Sequence, residues 1–250
     1  MNMVDNYILD KGYLYWESVK QSLDQVTTKE NSSFLISRMG FLAEKFVEDT
    51  FYSDNGIPWL DTALFCLDCL YDPLLLKNDF EAAFMNLVEN VLSEINENQT
   101  AIEKTTIFNH IFFYRYKIRI SKYLEGGESP DLCSVFINRA GDFPIVIVAY
   151  LLVARLAAIP IYPVILSDKT YVLAYCESNK PIFLLSEKDN ALSILALNPL
   201  LKFGREVDPA SGDNVTIRIY CEILRNYFYK QSSDRKVKLV TDIYSYLEKR

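Results

Sequence analysis

The sequence predicts an α+β fold in which a helical N-terminal half precedes a small antiparallel sheet and a closing helical hairpin. From residue 34 to residue 159, apolar side chains recur at steps of three and four residues, which is the period of a helix. Between residues 161 and 197 the period shortens towards two, and β-branched and aromatic residues prevail. The helical period returns after residue 214. Helices in one block and strands in another are typical of the α+β class.

Five helices are predicted before the central one, at residues 34–52, 58–71, 78–96 and 101–116 in the N-terminal half and at residues 132–138 after it. The polar residues 27–33 are predicted to form a loop that ends in a helix cap. Pro58 suits the first turn of the second helix, where its missing N–H would have no partner in any case. Residues 126–131 are a predicted loop in which Ser129 or Asp131 caps the fifth helix.

A helix that is apolar on nearly every face follows at residues 144–159, after a tight turn at residues 141–143. The stretch 143–166 has about the length of a membrane span, for which roughly 20 apolar residues are needed. Arg155 lies near its middle and two prolines end the helix early, so we expect a buried core helix and no membrane span. A charge on such a helix must be paired, and we therefore expect Arg155 to have a structural partner.

The second half contains the predicted sheet and hairpin. Strands are predicted at residues 161–166, 171–176 and 181–185 as an antiparallel meander, with 192–197 as a candidate fourth strand. A loop is predicted at 203–213, followed by helices at 215–229 and 234–247, the second capped by Ser233 or Asp234. We predict two regions, residues 1–125 and residues 126–250, with a single compact unit as the alternative.

Composition excludes several classes of protein. Half of the 250 residues are hydrophobic, which argues against disorder and suffices for a full core. The formal net charge of −7 disfavours binding to nucleic acid. The N-terminus has no basic region followed by an apolar one, so we expect no secretory signal and a cytoplasmic location. The short basic cluster of Lys230 and residues 235–238 is interpreted as a solvated turn, with the docking of a partner as the alternative.

The cysteines and the histidine limit metal and redox chemistry. Five cysteines without a secretory signal predict reduced thiols. Cys66 and Cys69 have the C-x-x-C spacing of a redox or metal site, but bulky apolar residues surround them in a predicted helix, which favours core packing. Because the chain contains one histidine, we predict no zinc site, no other metal and no cofactor.

Six segments of the chain carry a resemblance to one known family. They are residues 64–73, 107–113, 136–141, 153–162 (VARLAAIPIY), 171–175 and 223–227. In their order and spacing they resemble the SirB-type branch of the bacterial transglutaminase-like proteins, over roughly residues 56–250. The resemblance implies a transglutaminase-like core, in which the central helix packs on the small antiparallel sheet.

The resemblance also implies where a papain-like triad would lie. In the superfamily a cysteine at the start of the central helix is the nucleophile, a histidine on the next strand is the base, and an aspartate on the following strand orients the histidine. In this chain these positions fall at Phe143, at Thr170, and near Leu185 or Ser186. A phenyl ring is no nucleophile and threonine is no base at neutral pH, so the resemblance implies a core without a working triad.

The sequence therefore predicts a pseudoenzyme that binds a protein or peptide partner or acts as a scaffold. Its binding surface is expected at the rim of the vestigial cleft and on the helical N-terminal half. The candidate rim residues are Asp142, Asp168, Lys169, Thr170 and Tyr171.

The alternative is a thiol-dependent hydrolase or acyltransferase with a displaced site. It would use Cys133 or Cys176 as the nucleophile and His110 as the base. This alternative requires a cysteine sulfur within hydrogen-bonding reach of His110 in an open cleft. Otherwise all three residues are structural.

Overall fold

A computed structural model describes residues 29–52, 56–121, 130–165, 171–178, 180–196 and 209–249. These residues form an α+β fold, as predicted. The helices are α1 (Lys29–Tyr52), α2 (Leu60–Tyr71), α3 (Lys77–Glu94), α4 (Ala101–Asn109), α5 (Leu132–Asn138), α6 (Phe143–Leu156), α7 (Pro209–Lys230) and α8 (Asp234–Glu248). A π-helix, His110–Arg115, directly follows α4. The strands are β1 (Arg119–Ile120), β2 (Ala140–Gly141), β3 (Ile161–Ile165), β4 (Tyr171–Glu177), β5 (Lys180–Lys188) and β6 (Ala191–Ala196).

The chain divides into two compact units. The first unit comprises residues 1–81 and 224–250, and the second comprises residues 82–223. The first unit contains helices α1, α2 and α8, and the second contains both sheets and the central helix α6.

In the first unit, α1 packs along α2 through aromatic and aliphatic side chains. The Phe65 ring lies 6.3 Å from that of Phe46 and 5.5 Å from that of Phe80. Cys66 and Cys69 are both fully buried in α2, so their predicted role in core packing is confirmed. The thiol of Cys66 donates a hydrogen bond to Thr50 on α1.

The basic run at the start of α8 is helical, and its interpretation as a solvated turn was wrong for Lys236, which is half-buried. The ammonium group of Lys236 donates a hydrogen bond to the carbonyl oxygen of Leu70 at 2.6 Å, near the end of α2. Arg235 pairs with the buried Glu44 of α1. Helix termini leave carbonyl groups without an internal partner, and a lysine can satisfy one of them. The basic side chains therefore join α8 to the two helices beside it.

In the second unit, α6 is the central helix that the sequence predicts. All ten residues from 145 to 154 are buried, which accounts for the apolar character of every face. Arg155 has a structural partner, as expected. It is Asp213, whose carboxylate lies 3.1 Å from the guanidinium Nε. At 14 residues the helix is short, and no helix of the described segments is long and apolar enough to cross a membrane.

The main sheet is the predicted antiparallel meander, including the fourth strand, in the order β3-β4-β5-β6. Its register pairs Ala174 with Tyr162 and with Leu184. One face forms a small core of Val164, Ala174, Cys176 and Leu184. The opposite face is also buried at Leu173, Tyr175 and Leu185, so the middle of the sheet is covered on both sides.

Two features of the second unit were not predicted. Strands β1 and β2 form a two-residue parallel pair, with Arg119 opposite Ala140 and Ile120 opposite Gly141. The predicted helix 101–116 is α-helical only to Asn109 and continues as the π-helix. In that helix the N–H of Tyr116 donates to the carbonyl of Ile111, five residues back.

Two predicted helix starts and one predicted cap were wrong. Helix α1 begins at residue 29, inside the predicted loop 27–33, and α7 begins at residue 209, inside the predicted loop 203–213. Both extensions are polar, and a polar helix turn carries no apolar period by which the sequence would reveal it. Ser233 stands at the start of α8, but its side chain makes no capping hydrogen bond. Asp131 caps α5 as predicted, accepting from the N–H of Cys133.

Candidate functional site

The start of the central helix is the position at which the resemblance implies a nucleophile. Phe143 is the first residue of α6 and is half-buried, and Asp142 precedes it in an extended conformation. Gly141 is buried, and a Cβ added to it would lie 2.8 Å from Ile145 and 3.2 Å from Val135. Side chains therefore fill the space beside this helix terminus.

Of the other two triad positions, the structure describes one, Leu185. Leu185 lies on β5 opposite Leu173 of β4 and is buried. An aliphatic side chain there cannot orient a base. Thr170 lies outside the described residues, as do the rim residues Asp168 and Lys169.

Of the predicted rim residues, Asp142 and Tyr171 remain. The backbone of Tyr171 belongs to β4 and lies opposite Ile165. Asp142 belongs to a surface segment that we call the rim segment, residues 137–144. Its exposed members are Ile137, with 70% of its surface accessible, Asn138, Arg139 and Pro144. Single exposed apolar side chains are common on protein surfaces, so it is the position of Ile137 just before the central helix that makes it a candidate contact.

The proposed alternative base, His110, lies at the surface. It begins the π-helix, is exposed, and its ring stacks on that of Tyr114 at 5.8 Å. An imidazole serves a nucleophile as a base only when the two groups are within hydrogen-bonding reach.

Both alternative nucleophiles are buried. Cys133 has 6% of its surface accessible and lies in the first turn of α5. Cys176 lies in the core of the sheet, and burial raises the pKa of its thiol to about 11. At neutral pH such a thiol is ionised in roughly one molecule in ten thousand, and the thiolate is the reactive form. The structure thus brings His110 to the surface and both thiols into the interior, which disfavours the displaced site.

Sequence reasoning did not find a buried polar chain in the second unit. The hydroxyl of Tyr150 donates to Asn109 Oδ1 at 2.7 Å, and Asn109 Nδ2 donates to the carbonyl of Leu192 at 2.9 Å. Burial raises the pKa of Tyr150 well above its ordinary value, so the hydroxyl remains protonated. The only signal in the sequence is a tyrosine on an otherwise aliphatic helix, since a buried tyrosine needs a hydrogen-bond partner.

Nor did the sequence reveal a pocket of about 490 Å³ between the end of the π-helix and the β5–β6 turn. Its charged lining residues are Lys117, Arg119 and Asp189. They come from segments about seventy residues apart in sequence, so no local motif contains them.

The chain shows no significant match to known protein families, to curated proteins or to solved structures.

Proposed function

We propose that this protein acts by binding a protein or peptide partner and not by catalysis, as a pseudoenzyme with a transglutaminase-like core. The observation that carries the proposal is the burial of all five cysteines while the single histidine is exposed. Covalent catalysis by a thiol needs a base in contact with an accessible sulfur. At the start of the central helix, where the resemblance implies that sulfur, the chain has Phe143.

The partner surface that we propose is the rim segment. It leads into the central helix and exposes Ile137 beside the charged Arg139. An apolar anchor with charged neighbours matches the way that short peptides are held, since the anchor supplies affinity and the charges set orientation.

The test is a selection of peptides from a random library on the intact chain, followed by fluorescence anisotropy with the best peptide. We expect Ile137→Lys to weaken binding about tenfold or more, because a charge replaces the anchor. The matched control is Ile102→Lys, which changes an isoleucine with 57% of its surface accessible on α4. We expect the control variant to bind like the wild type.

Two results would contradict the proposal. One is that no peptide binds saturably to the intact chain. The other is that Ile137→Lys and Ile102→Lys bind with equal affinity, since the rim segment would then not be the binding surface.

A further inference from the structure

The pocket between the π-helix and the β5–β6 turn has an apolar floor and charged residues at its edge. Phe113, Ile118 and Ala191 are buried and form the floor. Tyr114, with 66% of its surface accessible, contributes an aromatic wall. A volume of about 490 Å³ lies within the usual range for small-molecule sites, which is roughly 300–1,000 Å³.

The edge of the pocket carries an excess of positive charge, although the chain as a whole is acidic. Lys117 and Arg119 are exposed and line the pocket together with Asp189. None of the three forms an ion pair with another residue of the described segments. The neighbouring Arg115, in contrast, pairs with Glu94. Two cations that form no ion pair within the described segments, above an apolar floor, attract an anion that also has an apolar part.

Backbone hydrogen bonds hold the two sides of the pocket together. The N–H of Ile120 donates to the carbonyl of Asn190 at 3.2 Å, which fixes the turn against β1. The N–H of Arg119 donates to the carbonyl of Arg139 at 3.0 Å, so the pocket adjoins the rim segment. A site that is held open in this way loses little conformational entropy when a ligand binds.

The backbone conformation of the lining residues is unusual. Lys117, Asp189 and Asn190 adopt left-handed conformations with φ of 57°, 54° and 63°. Asparagine and aspartate tolerate this region, whereas lysine does so at a cost in free energy. The π-helix that precedes Lys117 is a second departure from regular geometry, and such departures cluster at functional sites.

We propose that this pocket binds a small organic anion, a carboxylate or a phosphate ester attached to an aromatic body. The anionic group binds between Lys117 and Arg119, and the aromatic body rests on the floor beside Tyr114. Asp189 also lines the pocket, and its negative charge opposes that of the bound anion. The proposal goes beyond the proposed function, because the site and its ligand do not depend on a peptide partner.

Saturation-transfer NMR with three probes tests this site in the intact chain. The probes are phenyl phosphate, N-acetylphenylalanine and N-acetylphenylalaninamide, the last being the uncharged analogue of the second. We expect at least one of the two anions to bind saturably and the amide to bind at least about tenfold more weakly. The tighter of the two anions identifies a phosphate ester or a carboxylate as the natural chemistry.

Four variants locate the site and its charge. We expect Lys117→Asn and Arg119→Gln each to weaken anion binding about tenfold, since each removes a charge-assisted hydrogen bond. Asparagine suits the left-handed conformation at residue 117. Arg115→Gln removes a nearby charge that does not line the pocket, and we expect unchanged affinity. We expect Asp189→Asn to strengthen binding, because it removes a like charge.

The proposal is overturned if neither anion binds saturably, or if the uncharged amide binds as tightly as the acid. It is also overturned if Arg115→Gln weakens binding as much as Arg119→Gln, or if Asp189→Asn weakens it. Circular dichroism confirms that each variant is folded. Failure here leaves the peptide selection on the rim segment unaffected, so the two proposals fail separately.

Discussion

Gly141 shows how a single missing side chain allows the central helix to begin where it does. The residue belongs to β2, and Ile145, Val146 and Val135 surround the place that a Cβ would occupy. Contacts of 2.8–3.2 Å are shorter than ordinary van der Waals distances, so the neighbours would have to move. Close packing, and not an unusual backbone angle, is therefore the reason for glycine here.

Gly141→Ala should consequently destabilise the protein. We expect the free energy of unfolding to fall by about 1–3 kcal/mol, which is the usual cost of overpacking a core. The control is Gly40→Ala inside α1, where the nearest heavy atom to the new Cβ is 4.0 Å away. We expect this control to raise the free energy of unfolding by about 0.5–1 kcal/mol, because alanine favours a helix. Urea unfolding measures both, and equal effects of the same sign would contradict the account.

Glu44 is a second residue whose environment has a measurable consequence. Burial raises the pKa of its carboxyl above the ordinary value of 4.5. The charges of Arg235, Lys236 and Lys45 act against this rise, and Glu48 adds to it. The folded state therefore holds this proton more strongly than the unfolded state does.

The sign of the pH dependence follows from that difference. A raised pKa in the folded state gives stability that is present below pH 4.5 and is lost as the pH rises through the folded value. We expect the free energy of unfolding of the wild type, minus that of Glu44→Gln, to fall as the pH rises from about 4 to about 7. Urea unfolding at several pH values measures this difference. A difference that rises over the same range would show that ion pairing outweighs burial.

At the scale of elements, a lysine of α8 donates a hydrogen bond to a carbonyl group near the end of α2. Lys236 Nζ donates to the carbonyl of Leu70 and also stands 5.1 Å from the centre of the Phe228 ring. Burial lowers the pKa of this ammonium group, and Glu44 acts in the opposite direction. The donor of this hydrogen bond is thus a partly dehydrated ammonium group.

Lys236→Met keeps most of the length of the side chain and removes its donor. We expect the free energy of unfolding to fall by about 1–2 kcal/mol, since the carbonyl of Leu70 loses its partner. Lys238→Met is the matched control on the same helix, because Lys238 is exposed. We expect the control to change stability by less than about 0.5 kcal/mol. If both variants have the same stability as the wild type, the bond to Leu70 does not contribute to the fold.

The elements also show what the sequence could and could not predict. The central helix and the meander were predictable, because an apolar helix and short β-branched and aromatic runs between polar turns each leave a pattern in the residue order. Strands β1 and β2 have two residues each, too few for any pattern. The π-helix depends on one extra residue within a helical turn, which apolar periodicity does not distinguish from an α-helix. The pocket remained hidden because its two sides come from segments that meet only in the folded chain.

At the scale of the whole molecule, the distribution of charge and of reactive groups supports binding. The chain has a net charge of −7, yet one lysine and one arginine line the pocket against one aspartate. Local fields of this kind attract anions even when the whole protein repels them. The groups from which a thiol enzyme is built lie elsewhere, with the sulfurs in the core and the imidazole on the surface.

The most direct test of the central claim is the reactivity of the thiols in the native protein. We expect iodoacetamide at neutral pH to alkylate none of the five cysteines in the folded chain and all five after denaturation, as counted by intact-mass spectrometry. A single rapid adduct on Cys133 or Cys176, slowed in the variant His110→Asn, would contradict the account. It would show an activated thiol paired with a base, and the protein would then be a thiol enzyme.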